Sequence, residues 1–173
     1  LLRILSGQSE PDAGTVRLGV GVSVGYYAQE HEGVTPGRDP LSHMRSHASV
    51  PSGRSAPVSD QQLRSLLGMF GLSGDIAFQD AGTLSGGEKT KLALAQLVAG
   101  KHNLLLLDEP TNNLDPPSLS AIGSALGEWP GTMIAVSHDT DFVDRLQPDR
   151  VLSMPEGTLD FWNEGLLELV SLA

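Results

Sequence analysis

The apolar positions change period along the chain, and the changes mark out its elements. Leu1-Leu2-Arg3-Ile4-Leu5 reads as the last turns of an amphipathic helix, ended by Ser6-Gly7. Between Thr15 and Ala28, β-branched and aromatic residues sit among glycines, which predicts two short strands, Thr15–Leu18 and Val22–Tyr27. A short helix is predicted from about Pro40 to His47. The tract from Ser46 to Asp60, rich in Ser, Pro and Gly, reads as a flexible loop within one unit. Ser59 and Gln62 have the spacing of a capping box and open a helix through Leu63, Leu66, Leu67 and Phe70 to Gly71. Ser85 and Glu88 form a second box, opening a helix through Lys91 to Val98 that Gly100 stops.

The second half alternates strand and helix. Leu104–Leu107, running into Asp108, is a continuous apolar strand of the kind buried on both faces of a parallel sheet. Asp115-Pro116 caps and starts a helix to about Gly127. Thr132–Ser137 reads as a second buried strand and Asp139–Leu146 as a short helix. Val151–Met154 and Thr158–Phe161 can pair as a hairpin around Pro155-Glu156-Gly157, and Glu164–Leu172 makes a last helix. The order implies an α/β fold with a parallel sheet, and there is no internal repeat.

Composition narrows the function classes. The chain has 173 residues, enough for one domain at roughly 100–200 residues each. Its formal net charge of -10 argues against a domain that coats nucleic acid or anionic lipid with positive charge. A local seat of backbone amides for one polyphosphate is still compatible with that sign. Without cysteine there is no disulfide scaffold, thiolate metal site or thiol chemistry. Apolar runs such as Leu104–Leu107 fall far short of the about 20 residues a membrane-spanning helix needs. A cytoplasmic protein is expected.

Two segments carry candidate chemistry. Asp108-Glu109 places two carboxylates at the C-terminal end of a buried strand, where open α/β sheets bind ligands. One acid can hold a hard cation such as Mg²⁺ through water, and its neighbour can orient or deprotonate an attacking water. Taken alone, the pair reads first as a solvated acidic turn before Pro110. In Ser85-Gly86-Gly87-Glu88, the glycines admit close approach of a ligand to a helix N-terminus with free amides. Taken alone, that segment is equally an ordinary capped loop.

Together the segments resemble a known family. Leu84-Ser85-Gly86-Gly87-Glu88 resembles the signature motif of the ABC ATPases, and Leu104–Asp108 with Glu109 resembles their Walker B strand and catalytic glutamate. Gln29 resembles the Q-loop glutamine, Asn113-Leu114-Asp115 the D-loop, and Ser137-His138-Asp139 the switch histidine. The motifs stand in the family's order and span residues 1 to about 162. Glu88-Lys89-Thr90-Lys91-Leu92 and Asp108-Glu109-Pro110-Thr111-Asn112-Asn113-Leu114-Asp115 are similar to the ABC-F branch, with Asn113 where that branch usually has histidine. The resemblance implies a P-loop NTPase-like ABC ATPase domain. It would have a mostly parallel sheet with flanking helices, a small antiparallel part, a helical lobe over about 31–100, a core over 101–162 and a C-terminal helix over 163–173.

The resemblance also implies roles. Asp108 would position Mg²⁺ and Glu109 would polarise the hydrolytic water. Gln29 would sense both, and His138 would contact the γ-phosphate of ATP. Ser85, Gly86 and Gly87, with Glu88 beside them, would hold the γ-phosphate of a nucleotide bound mainly by the opposite ATPase domain. Asp115 would organise the interface between the two domains. ABC-F proteins carry two ATPase domains in one polypeptide and act on the ribosome as translation factors or antibiotic-resistance proteins. The alternative is the ATPase subunit of a membrane transporter. The family's P-loop, Gly-x-x-x-x-Gly-Lys-[Ser/Thr], is not found in the sequence. The chain is therefore expected to be part of a second ATPase domain, inactive alone.

The remaining candidates have plainer readings. His43 and His47, spaced i, i+4, match one helix face of a metal site but lack a third ligand, and solvation is expected for both. His31 and His102 are expected at the surface. Trp129 and Trp162 are expected to pack rather than stack on bases. Arg3, Arg17, Arg38, Arg45, Arg54 and Arg64 are too scattered for an RNA-binding stripe.

Overall fold

The computed structural model describes residues 1–28, 34–48, 58–100, 102–112 and 114–170. Helix α1 (Leu2–Leu5) ends at Gly7, whose φ of 77° lies in the left-handed region that glycine enters without steric cost. Strand β1 (Val24–Tyr27) follows, then helices α2 (Pro40–Ala48), α3 (Asp60–Met69) and α4 (Gly86–Ala99). The rest alternates: β2 (Leu104–Asp108), α5 (Pro116–Gly127), β3 (Thr132–Val136) and α6 (Thr140–Leu146). The hairpin of β4 (Arg150–Ser153) and β5 (Thr158–Phe161) precedes a short final helix, α7 (Leu167–Val170).

Both predicted capping boxes are formed. Ser59 accepts from the Gln62 amide and Gln62 returns the bond to the Ser59 amide; Ser85 and Glu88 do the same at α4. Each box satisfies two amide donors that a helix start otherwise leaves open.

The sheet is parallel, in the order β1-β2-β3. β2 lies in the middle, and Leu105, Leu106 and Leu107 are each fully buried. That is why its sequence is continuously apolar rather than alternating. At about 1.5–3 kcal/mol for each fully buried leucine side chain, this strand is a main source of cohesion. The core continues through Leu41 and Met44 of α2, Leu63 and Leu67 of α3, Leu92 and Leu94 of α4, and Ile122 of α5. Trp129 packs against it, as expected.

Several expectations need correction. Thr15–Leu18 forms no strand; its residues are all exposed and no ladder hydrogen bond holds them among the described residues. β3 forms where predicted but is not buried. Among the described residues its ladder runs to β2 alone, and Val136 is 47% exposed. His43 is not solvated; it is 2% exposed, and its Nε2 lies 3.1 Å from the Thr35 carbonyl oxygen. His47 is exposed, as expected. His102 is partly buried rather than at the surface. The predicted last helix opens as a 3-10 turn over Glu164–Leu166 before α7. Gln29, His31, Arg54 and Asn113 lie outside the described residues.

Candidate functional site

β2 pairs with β3 in a register that sets Asp108 beside Val136. The residues just past the two strand ends therefore emerge at the same edge of the sheet. The Glu109 amide continues the ladder, donating to the Val136 carbonyl at 2.9 Å. Glu109 then turns with φ of 49°, a left-handed conformation that costs a non-glycine residue about 1–3 kcal/mol. Its carboxylate is brought against His138, with Nδ1 2.8 Å from Oε2. The imidazole is 58% exposed and the carboxylate 22% exposed. Oε2 itself is buried and makes no well-aligned hydrogen bond in this arrangement. A buried, incompletely satisfied carboxylate oxygen beside an open imidazole can accept a proton from a water that approaches the pair from the solvent side.

Asp108, one residue earlier, points to the other side of the strand. Its Oδ2 accepts from the Tyr26 hydroxyl at 3.3 Å. No other hydrogen bond to its carboxylate is found among the described residues, so Oδ1 is left for a ligand. Hard carboxylate oxygens at a sheet end suit Mg²⁺, which usually takes one or two protein carboxylates and completes its shell with water and phosphate. Among the described residues, no group of three or more His, Asp or Glu side chains is arranged to hold a metal ion. A cation at Asp108 would draw its other oxygens from water and nucleotide.

The α4 tip is built separately. The Ser85 amide and hydroxyl each donate to Glu88 Oε2 at 2.8 Å, and these bonds hold the Glu88 carboxyl below its ordinary range. Ser85 and Gly86 are exposed. A Cβ placed on Gly86 would meet nothing within 4 Å, so packing inside this chain gives no reason for a glycine there. No hydrogen bond or ion pair among the described residues joins this tip to Asp108 or Glu109. Asp115 lies elsewhere again, as the cap of α5. Its carboxylate accepts from the Ser118 amide at 2.8 Å, and hydrogen bonding to Ser118 lowers its pKa.

The site residues therefore fall into three groups. Asp108, Glu109 and His138 share one sheet edge; Ser85–Glu88 form an outward-facing helix tip; Asp115 caps α5. Sequence reading missed Tyr26, although its place in a strand alternating with Tyr27 put it on the face of Asp108. A small cavity of about 140 Å³ lies behind this strand, lined in part by Gln8, Tyr26, His47 and Gln96.

Comparison with known proteins extends this geometry. A family model described as "ABC transporter" matches residues 1–112. The chain is 38% identical over 180 residues to the ATP-binding protein YdiF of Bacillus subtilis, covering 99% of this chain and 27% of that protein. It is 34% identical over 168 residues to the energy-dependent translational throttle protein EttA of Escherichia coli O6:H1, covering 97% and 30%. A homolog of ATP-binding cassette sub-family F member 3 from Encephalitozoon cuniculi is 37% identical over 142 residues, covering 82% and 24%. The chain thus spans under a third of the length of these relatives. Among solved structures, the dimeric bacterial ABC transporter cassette MJ0796 matches with a TM-score of 0.75 at 20% identity, over 94% of this chain and 79% of that one. At that identity the likeness speaks to the fold alone.

Proposed function

The chain belongs to the ABC transporter family, its curated relatives are ABC-F proteins, and on that premise we propose that it binds and hydrolyses ATP as one cassette of a longer polypeptide. The observation that carries this reading is the 2.8 Å approach of His138 to Glu109 at the end of the parallel sheet. Glu109 polarises the attacking water, and His138 holds the γ-phosphate side of that water in place. Asp108 would hold Mg²⁺, which when bound would neutralise charge on the phosphate oxygens. Gln29, two residues beyond Tyr27 in the sequence, would sense both the cation and the water.

Ser85, Gly86 and Gly87 share no hydrogen bond with these acids among the described residues, and Glu88 locks the tip they form. An exposed helix start with free amides and a Gly86 that internal packing does not need is suited to the γ-phosphate of a nucleotide held by a facing cassette. Asp115 lies at the joint between the cassettes. Closure is favoured only while phosphate bridges both halves, so hydrolysis reopens the pair.

The names of the relatives point to translation as the setting, and a cytoplasmic, ribosome-associated role fits them. No helix among the described residues is long and apolar enough to cross a membrane. The test uses the protein expressed from its complete reading frame. Mg²⁺-dependent phosphate release from ATP that Glu109→Gln abolishes, with ATP-dependent cosedimentation on ribosomes, is the expected result. Full hydrolysis by the Glu109→Gln protein would overturn the site assignment, and absence from the ribosome pellet would overturn the setting.

A further inference from the structure

We propose that Tyr26 is a positioning residue for the metal-side acid, holding Asp108 in the orientation that presents its free oxygen to the cation. This rests on the reading of Asp108 given above and extends it to a residue outside the motifs. β1 and β2 pair with Tyr26 beside Leu106. Asp108 lies two residues further along β2, on the same face, and this diagonal is within reach of a long aromatic side chain. The Tyr26 hydroxyl donates to Oδ2 at 3.3 Å. A carboxylate at a strand end otherwise rotates freely about its side-chain bonds. One fixed oxygen selects a rotamer and leaves Oδ1 directed to the ligand side.

The neighbouring tyrosine serves as an internal control. Tyr27 points to the opposite face, is 5% exposed, and its hydroxyl lies 3.5 Å from Thr90 Oγ1 on α4. Burial raises its pKa, with the Thr90 contact acting the other way. Two adjacent tyrosines, chemically identical, thus hold different partners. Removing either hydroxyl deletes one oxygen atom and keeps the ring that packs the strand.

Partners of metal-bound groups typically change metal affinity about 10–100-fold when removed; the long hydrogen bond and a cation bound through water place Tyr26 at or below the lower end, about three- to tenfold. The experiment titrates Mn²⁺ into the full-length protein loaded with a non-hydrolysable ATP analogue, following free Mn²⁺ by electron paramagnetic resonance. Tyr26→Phe is expected to raise the Mn²⁺ dissociation constant about three- to tenfold without changing analogue affinity in the absence of metal. Tyr27→Phe is expected to leave the Mn²⁺ constant within about twofold of the parent. If Asp108→Asn weakens Mn²⁺ binding and Tyr26→Phe does not, the proposal is wrong and the reading of Asp108 stands. If Asp108→Asn itself has no effect, that reading falls and the proposal falls with it.

Discussion

Glu109 and His138 meet at 2.8 Å because β2 and β3 run parallel in a register that ends them together. Neither residue reaches the other through local sequence, since helix α5 intervenes between the strands. If the two act on one water, as proposed, their effects are non-additive. Glu109→Gln should lower kcat by about 10²–10⁴-fold, the range for a positioned acid–base group. His138→Ala should lower it less, and the double variant should be no slower than Glu109→Gln alone. Single-turnover hydrolysis in the full-length protein measures all three. Losses that simply multiply would mean that the two side chains act independently.

Gly86 separates stability from activity. It starts α4 without a steric reason for glycine, and its Cβ position opens to space. Gly86→Ala should leave stability to urea unchanged or raise it by up to about 1 kcal/mol, because alanine loses less backbone entropy on entering the helix. If the tip receives phosphate from a facing cassette, the same substitution should lower ATP hydrolysis. A variant that is both stable and fully active would show that Gly86 is only a helix residue.

The α4 cap has its own signature. Ser85→Ala removes the side chain that accepts from the Glu88 amide, and should cost about 1 kcal/mol in urea denaturation near neutral pH. Hydrogen bonds from Ser85 hold the Glu88 pKa below its ordinary 4.5, with Lys91 adding to the effect. A carboxylate lowered on folding stabilises above the unfolded value, and that stability is lost as pH falls through the folded value. The acid limb below pH 4.5 should therefore be shallower in Ser85→Ala than in the parent. Parallel limbs would mean that the hydroxyl contributes nothing to the carboxylate.

His102 is wedged between two glycines. A Cβ on Gly25 would lie 2.7 Å from its Cδ2 and 2.8 Å from Leu105 Cδ2, and one on Gly100 would lie 2.6 Å from its Nε2. Gly25→Ala should destabilise by about 1–3 kcal/mol through overpacking against a fully buried leucine and the ring. Burial lowers the His102 pKa from 6.5, and the nearby His47 adds to the effect. A histidine whose pKa is lowered on folding favours the native state above the unfolded value and loses that contribution as pH drops through it. Thermal melts should therefore fall as pH is lowered below 6.5, and His102→Gln should flatten that limb. An unchanged limb would assign it to another group.

Most elements were legible because each rests on a local signal. Both capping boxes, the Asp115-Pro116 helix start and the turn at Pro155-Glu156-Gly157 are decided by a few adjacent residues. Thr15–Leu18 shows the limit: β-branched residues favour a strand only when a partner backbone receives their hydrogen bonds. His43 shows another, since a polar residue on a polar-looking helix was buried by the chain that covers it, with the Thr35 carbonyl beside its ring. β3 carries an apolar sequence, yet its outer face is open among the described residues.

The site divides in the same way. The sequence alone determined which chemistry is present: two acids after an apolar strand, a glycine-flanked helix start and a histidine after the next strand are local facts of order and spacing. Only the tertiary structure decided that Glu109 faces His138, that Asp108 turns to Tyr26, and that the α4 tip shares no hydrogen bond or ion pair with either acid among the described residues. Strand register and face are set by cooperative pairing and burial across the whole sheet, and no single segment contains that information.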